Sequence, residues 1–269
     1  MSDPWPRRIV CLTEEGTETL YLLGEQDRIV GISGFTVRPP RARREKPKVS
    51  AFTSARLGEI EALRPDLVIG FSDIQAEIAA ELVRRGIEVW IANHRSVEGI
   101  LAYILRLGAL VGAGDRAAAL VARARANLAE VAAQAAALPR RPRVYFEEWD
   151  APMISGIGWV SELVGIAGGD DIFPECAREP LARGRIIADP LEPARRAPDL
   201  VIGSWCGKKF RPGKVAARPG WQAVPAVRDE ELHEVKSALI LQPGPAAVLE
   251  GVNAIAALVH GWAARRVAR

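Results

Sequence analysis

The chain has 269 residues, 49% hydrophobic and 26% charged, which excludes a single small module, wholesale disorder and any collagen-like or fibrous design. Thirty Arg and six Lys against 33 Asp and Glu leave a net charge of +3, too small an excess for a dedicated nucleic-acid binder. Cys11, Cys176 and Cys206 are odd in number and share no metal-ligand spacing, so neither a disulfide framework nor a structural zinc site is expected and a reducing compartment fits.

The N-terminal MSDPWPRR leads straight into the strand-like Ile9 to Leu12 without the apolar core of an export signal. No apolar stretch reads as the roughly 20 residues that span a membrane, so the expectation is cytoplasmic, or periplasmic if the true start lies upstream. The basic run Arg38 to Lys48, broken by Pro39, Pro40 and Pro47, reads as a solvated loop. Then come a helix from Leu57 to Arg64, a strand in PDLVIG, a helix from Ile74 to Gly86, a strand from Glu88 to Ala92 and a helix from Ser96 to Gly112. Asp115 to Leu138, free of Gly and Pro, predicts one rod of about 36 Å. Strands at Val144 to Glu147, Asp199 to Trp205 and Glu231 to Val235 follow, and a helix from Pro245 to about Ala268 closes the chain.

An internal repeat organises these elements. PDLVIG at Pro65 to Gly70 returns letter for letter at Pro198 to Gly203, and ETLYLLGEQDRIV from Glu18 corresponds to ELVGIAGGDDIF from Glu162. The second copy is longer by about nine residues after its first strand, within Trp149 to Trp159, and shorter before PDLVIG. The expected fold is therefore α/β, with two Rossmann-like lobes of parallel sheet joined by one long helix: an N-terminal lobe over 1–112, the connector over 113–139 and a C-terminal lobe over 140–269.

Ligands of parallel α/β sheets bind beyond the carboxyl ends of the strands. That nominates Thr13 to Thr17, Ser33 to Thr36, Phe71 to Ile74 and Asn93 to Arg95 in one lobe. In the other it nominates Glu147 to Asp150, Trp205 to Lys208 and Ser237 to Leu239. Phe35, Phe71, Trp149, Trp159 and Trp205 fall at or near these ends and suit a large, partly apolar, planar ligand, whereas Trp90 and Trp262 are assigned to the core. His94, His233 and His260 share no metal-binding spacing, and no dinucleotide fingerprint, Walker sequence or serine elbow is present. His94 reads as a loop histidine bonded to its neighbours. Cys206 is either a thiol activated by Lys208 and Lys209 or a small residue packed below a pocket. Glu147, Glu148 and Asp150 are expected to accept amide hydrogen bonds or to pair with Arg.

RIVCL followed by TETLYLLGEQDRIVGIS, LGEIEALRPDLVIG, the Ala-rich connector and the second PDLVIG resemble the cobalamin-binding proteins that serve ABC importers, of the two-lobed, helix-joined class III type. The resemblance covers nearly the whole chain, and siderophore and haem binders share these signatures. It implies a non-enzymatic binder of cobalamin or another corrinoid, with Phe35 and Phe52 against the corrin from the first lobe and Trp149, Met153 and Trp159 around the opposing wall. SWCGKK and RPGW look like a branch lacking an export signal. Trp205 would add to the stacking, and Glu148, Asp150 and Lys208 would meet the peripheral amides. Members that dock onto a permease carry a glutamate directly after the Leu that opens the helix before PDLVI. Here Leu57 is followed by Gly58 and then Glu59, and Glu192 in the second lobe is also out of register. The alternatives are the binding component of an importer for an iron-siderophore or haem, and a tetrapyrrole-processing enzyme or metal chaperone that uses Cys206 or His94.

Overall fold

The computed structural model describes residues 4–267, so Met1 to Asp3 and Ala268, the expected end of the closing helix, lie outside it. The chain divides into two compact units. The first combines the residues up to His94 with Glu98–Ala124, and the second combines Arg95–Val97 with the chain from Arg125 onward.

In the first unit β1 (Ile9–Cys11), β2 (Ile29–Ser33), β3 (Lys48–Ser50), β4 (Leu67–Phe71) and β5 (Val89–Ala92) form a sheet in the order β3-β2-β1-β4-β5, every pairing parallel. The central strands are unbroken apolar runs because helices cover both faces, which leaves no alternation to read. In the second unit β6 (Arg143–Asp150), β7 (Met153–Ser155), β8 (Asp170–Asp171), β9 (Leu200–Gly203) and β10 (Leu232–Glu234) follow the order β10-β9-β6-β7, with β8 beside the start of β6. Here the sheet departs from the all-parallel expectation. β7 is antiparallel to β6, with Glu147 opposite Ser155 and Asp150 opposite Met153. The extra segment after Trp149 is thus a hairpin return, turning at Ala151 and Pro152.

The repeat does the same work twice. Asp66 accepts the backbone N–H groups of Arg7 (2.7 Å) and Arg8 (2.9 Å) ahead of β1, while Asp199 accepts the Arg143 N–H (3.0 Å) at the start of β6. The residue before each repeated proline, Arg64 or Ala197, takes a left-handed conformation (φ 46° and 45°) that ends the preceding helix. The final glycine of each copy makes room for a covering side chain: a Cβ on Gly70 would lie 2.6 Å from Gln75 Oε1, and one on Gly203 would lie 1.9 Å from the Phe210 ring. Gly203→Ala is therefore expected to lower stability by about 1–3 kcal/mol through overpacking. Gly58→Ala, on an open helical surface, should be neutral or stabilising by about 0.5–1 kcal/mol. Urea midpoints of the two variants check this.

The long helix spans Gly114–Ala136 and buries Ala117, Leu120, Val121, Ala124, Leu128, Val131 and Ala135, a stripe at helical spacing. Its first part belongs to the first unit and the remainder to the second. Three other expectations change. The basic run is ordered: it contains the short helix Ala42–Glu45 and ends on the first residue of β3, and the Arg43 guanidinium donates to the carbonyls of Gly34 (2.7 Å) and Thr36 (2.8 Å). Trp90 is only half-buried, stacked on Tyr103 with centroids 5.4 Å apart, whereas Trp262 is enclosed as expected. Finally, Ala247–Arg266 is long and apolar enough to cross a membrane by length and composition, and half of it is buried within the protein.

Candidate ligand-binding site

Two groups of side chains stand at the carboxyl ends of parallel strands, one in each unit. In the first unit Phe35, after β2, is 53% exposed and Phe52, after β3, is 42% exposed; Val37 and Ile74 are exposed as well. The backbone beneath them is pinned. Gly34 N–H donates to the Ser50 carbonyl (2.7 Å), and the Glu14 carboxylate accepts the N–H groups of Val37 (3.0 Å) and Arg38 (2.8 Å). Gln75 bridges three loops: its Oε1 accepts from Phe71 N–H (2.9 Å), and its amide donates to the carbonyls of Leu12 (3.3 Å) and Phe52 (3.2 Å). The exposed rings are thus held out by a fixed frame. Phe71 itself is buried and meets the His94 ring edge-on at 5.2 Å, and His94 in turn lies 4.9 Å from the Tyr103 ring.

Under this frame the first turn of the helix Glu14–Leu22 is buried. Burial pushes the carboxyls of Glu14 and Glu15 up to about 7 and the Cys11 thiol up to about 12. Thr13 Oγ1 donates to Glu15 Oε1 (2.5 Å), and Oε2 of Glu15 has no hydrogen-bond partner.

In the second unit the structure brings Trp149, Asp150, Trp205 and Lys208 together. The Lys208 ammonium lies 3.9 Å from the Trp149 ring centroid and 5.1 Å from that of Trp205, and it pairs with Asp150, which also takes Lys214 at 2.6 Å. Burial works to raise the Asp150 carboxyl, but the hydrogen bonds from the two lysines outweigh it and hold the group below the usual range. Beneath lies Glu147, fully buried. It accepts from the Tyr145 hydroxyl (3.0 Å), Trp205 Nε1 (2.9 Å) and both Arg218 nitrogens (2.6 and 2.8 Å). Glu148 pairs with the buried Arg185 at 2.5 Å. Of the three acids, two pair with arginine, and Asp150 pairs with two lysines instead.

The nominated residues differ in exposure. Trp159 is 3% exposed, and its Nε1 donates to the Ile240 carbonyl at 2.8 Å, so its indole is buried and offers no face to solvent. Trp205 is equally buried, its ring edge against Phe210 at 5.0 Å. Met153 is buried beside Trp205 and Trp221, and Cys206 is exposed on the turn after Trp205. Among the described residues no group of three or more His, Cys, Asp or Glu is placed to hold a metal ion. Reading by strand ends alone misses Gln75, Lys214, Arg185 and Arg218. Arg185 is a buried arginine that pairs with the half-buried Glu148, Arg218 is a half-buried one that answers the buried Glu147, and the acid-free basic segment from Lys208 to Arg218 carries the signal for the lysine and for Arg218.

A family model described as periplasmic binding protein matches residues 9–239. The chain belongs to this family. It is 29% identical over 176 residues to the cobalamin-binding protein of Halobacterium salinarum, covering 63% of this chain and 47% of that one. It is 28% identical over 170 residues to the vitamin B12-binding protein of Vibrio campbellii, covering 62% and 61%. It therefore spans about half to three fifths of the length of these curated relatives. The crystal structure of the periplasmic vitamin B12 binding protein BtuF of Vibrio cholerae superposes with a TM-score of 0.76 at 21% identity, covering 96% of this chain and 98% of that one. That likeness carries the two-lobed α/β fold joined by a long helix.

Proposed function

We propose that this protein binds cobalamin or a closely related corrinoid without transforming it, for uptake, storage or delivery. The observation that carries the reading is the exposure of Phe35 and Phe52, two large rings held out at neighbouring strand ends by Gln75 and Glu14. Such rings are costly to leave in water and suit a flat, partly apolar ligand. The names of the relatives support the corrinoid among such ligands. In the second unit the Trp149 face, Lys208 and Asp150 supply an amphipathic surface of matching chemistry.

Titration with cobalamin, followed by indole quenching and calorimetry, tests the proposal. Absence of binding at about 100 µM, or about 5.5 kcal/mol, overturns it, and haemin and a ferric siderophore in parallel cells distinguish the other chelate classes. Phe35→Ala and Phe52→Ala are each expected to weaken cobalamin binding about five- to thirtyfold, from the loss of one stacked ring worth about 1–2 kcal/mol, with unchanged urea midpoints because neither ring is in the core. Cytoplasmic residence is part of this proposal, and recovery outside the inner membrane on fractionation overturns it. Glu59 and Glu192, nearest to the docking positions the resemblance implies, are held by Arg56 and by Arg195 with Arg196. A permease arginine would have to displace a partner already present at each.

A further inference from the structure

The first unit contains by itself a cavity of about 710 Å³, within the size range of small-molecule pockets. Its lining includes Leu67, which opens β4, and Glu88, which precedes β5. It therefore lies at the amino ends of these strands, whereas Phe35 and Phe52 follow the carboxyl ends of β2 and β3. The helix Val97–Leu110 supplies Arg106 and Leu110 from its last turns, and the chain's start supplies Pro4, Trp5 and Pro6. Trp90 completes the aromatic part of the wall.

Both indoles are constrained. Trp90 lies almost parallel to the buried Tyr103 ring, at an interplanar angle of 7°. Trp5 is 43% exposed, yet it stands between two prolines that narrow its backbone freedom. Its indole lies across Gly112, where a Cβ would come within 2.4 Å of Nε1. The charged lining is Asp66, Glu88 and Arg106. Among the described residues Glu88 and Arg106 have no ion-pair partner, and Asp66 is answered by the backbone N–H groups of Arg7 and Arg8 but by no cationic side chain. The backbone under both acids is fixed: Asp66 N–H donates to the Arg8 carbonyl (3.0 Å), and the Glu88 carbonyl accepts from Val68 N–H (2.9 Å). Glu88 and Trp90 are two apart on an extended chain and so face the same side of the sheet. Arg106 instead sits on a long stem at an exposed helical position and can turn to water. The fixed charge of the cavity is thus negative, and indole faces attract cations.

We propose that this cavity is a further binding site, for an organic cation with an apolar body. An amine or quaternary ammonium sets its charge beside Glu88 and Asp66, and its hydrocarbon lies against Trp5, Trp90 and the prolines. The site stands apart from the corrinoid reading, since neither Phe35 nor Phe52 lines it.

Two simple probes test it. Benzyltrimethylammonium, an aromatic cation, and phenylacetate, an aromatic anion of similar size, are titrated into the isotope-labelled full chain. The indole N–H resonances of Trp5 and Trp90 are followed, and Trp5→Phe and Trp90→Phe assign them. The cation is expected to shift both resonances to saturation and to bind about fivefold more tightly than the anion, the factor that one ring face gives a cation. Trp5→Ala should weaken the cation about fivefold and Glu88→Gln about threefold, whereas Arg106→Gln, by removing a like charge, should tighten it about threefold. All three side chains are exposed, so urea midpoints should hold and report that each variant is folded. Phe35→Ala should leave the titration unchanged. Tighter binding of the anion, or weakening by Arg106→Gln, overturns the cation assignment. Binding that ignores Trp5→Ala and Glu88→Gln, or that Phe35→Ala weakens, places the probe elsewhere and overturns the site, as does the absence of any shift at about 10 mM, or about 2.7 kcal/mol.

Discussion

Replacing Arg218 with Met is expected to lower the stability of the protein by about 3–5 kcal/mol, the range for removing one partner of a buried ion pair. Glu147 is wholly enclosed, and among the described residues it is answered, besides Arg218, by two neutral donors, the Tyr145 hydroxyl and the Trp205 indole. Without the guanidinium its charge keeps its desolvation cost and loses its counterion. Stabilities of whole domains are about 5–15 kcal/mol, so the loss should be plain in a urea titration followed by tryptophan fluorescence. The double variant Glu147→Gln/Arg218→Met removes both charges and should recover most of the loss. Should the single variant cost less than about 1 kcal/mol, the pair is worth no more than an exposed one and the expectation fails. The ligand surface depends on this pair as well, because Trp205 is oriented by Glu147 and its ring carries the two lysines.

The fold was legible because parallel strands buried on both faces are written as unbroken apolar runs, and because one of them occurs twice. PDLVIG is readable twice over: its aspartate ties the neighbouring strand, and its glycine admits a covering side chain in both copies. The hairpin return at β7 was not legible, since Met153 to Ser155 is too short to show alternation and its partner is fixed only once β9 and β8 occupy the rest of β6. The site divides in the same way. Strand ends and aromatics pointed to Phe35, Trp149 and Lys208, and the family resemblance added Phe52. A tryptophan at a strand end carries no mark of whether its indole faces out, and Trp159 turns inward because the Ile240 carbonyl offers its N–H a partner in the core. Gln75 left no trace in the pattern, since its role depends on three loops converging in space.

Stability is expected to fall as pH rises from about 4.5 to about 7, because Glu14 and Glu15 titrate near 7 in the folded protein and near 4.5 when unfolded. Below 4.5 both states hold the protons and neither group discriminates. Between the two values the folded state binds more protons than the unfolded one, so each step up in pH favours unfolding. Above about 7 both groups are ionised in both states, and the full cost of two buried carboxylates is present, about 3 kcal/mol for each. The helix N-terminus favours their charge, and Glu14 gains two backbone donors besides, but burial outweighs both, with Glu18 close by adding repulsion. Asp150 acts in the opposite direction at lower pH: its lysine partners stabilise the folded state above its unfolded value and lose that effect as it is protonated. A maximum in the mildly acidic range follows. Urea midpoints from pH 4 to pH 8 test this, and Glu15→Gln should flatten the descending side by about half whatever its absolute stability. A wild-type midpoint that rises steadily through pH 7 overturns the assignment.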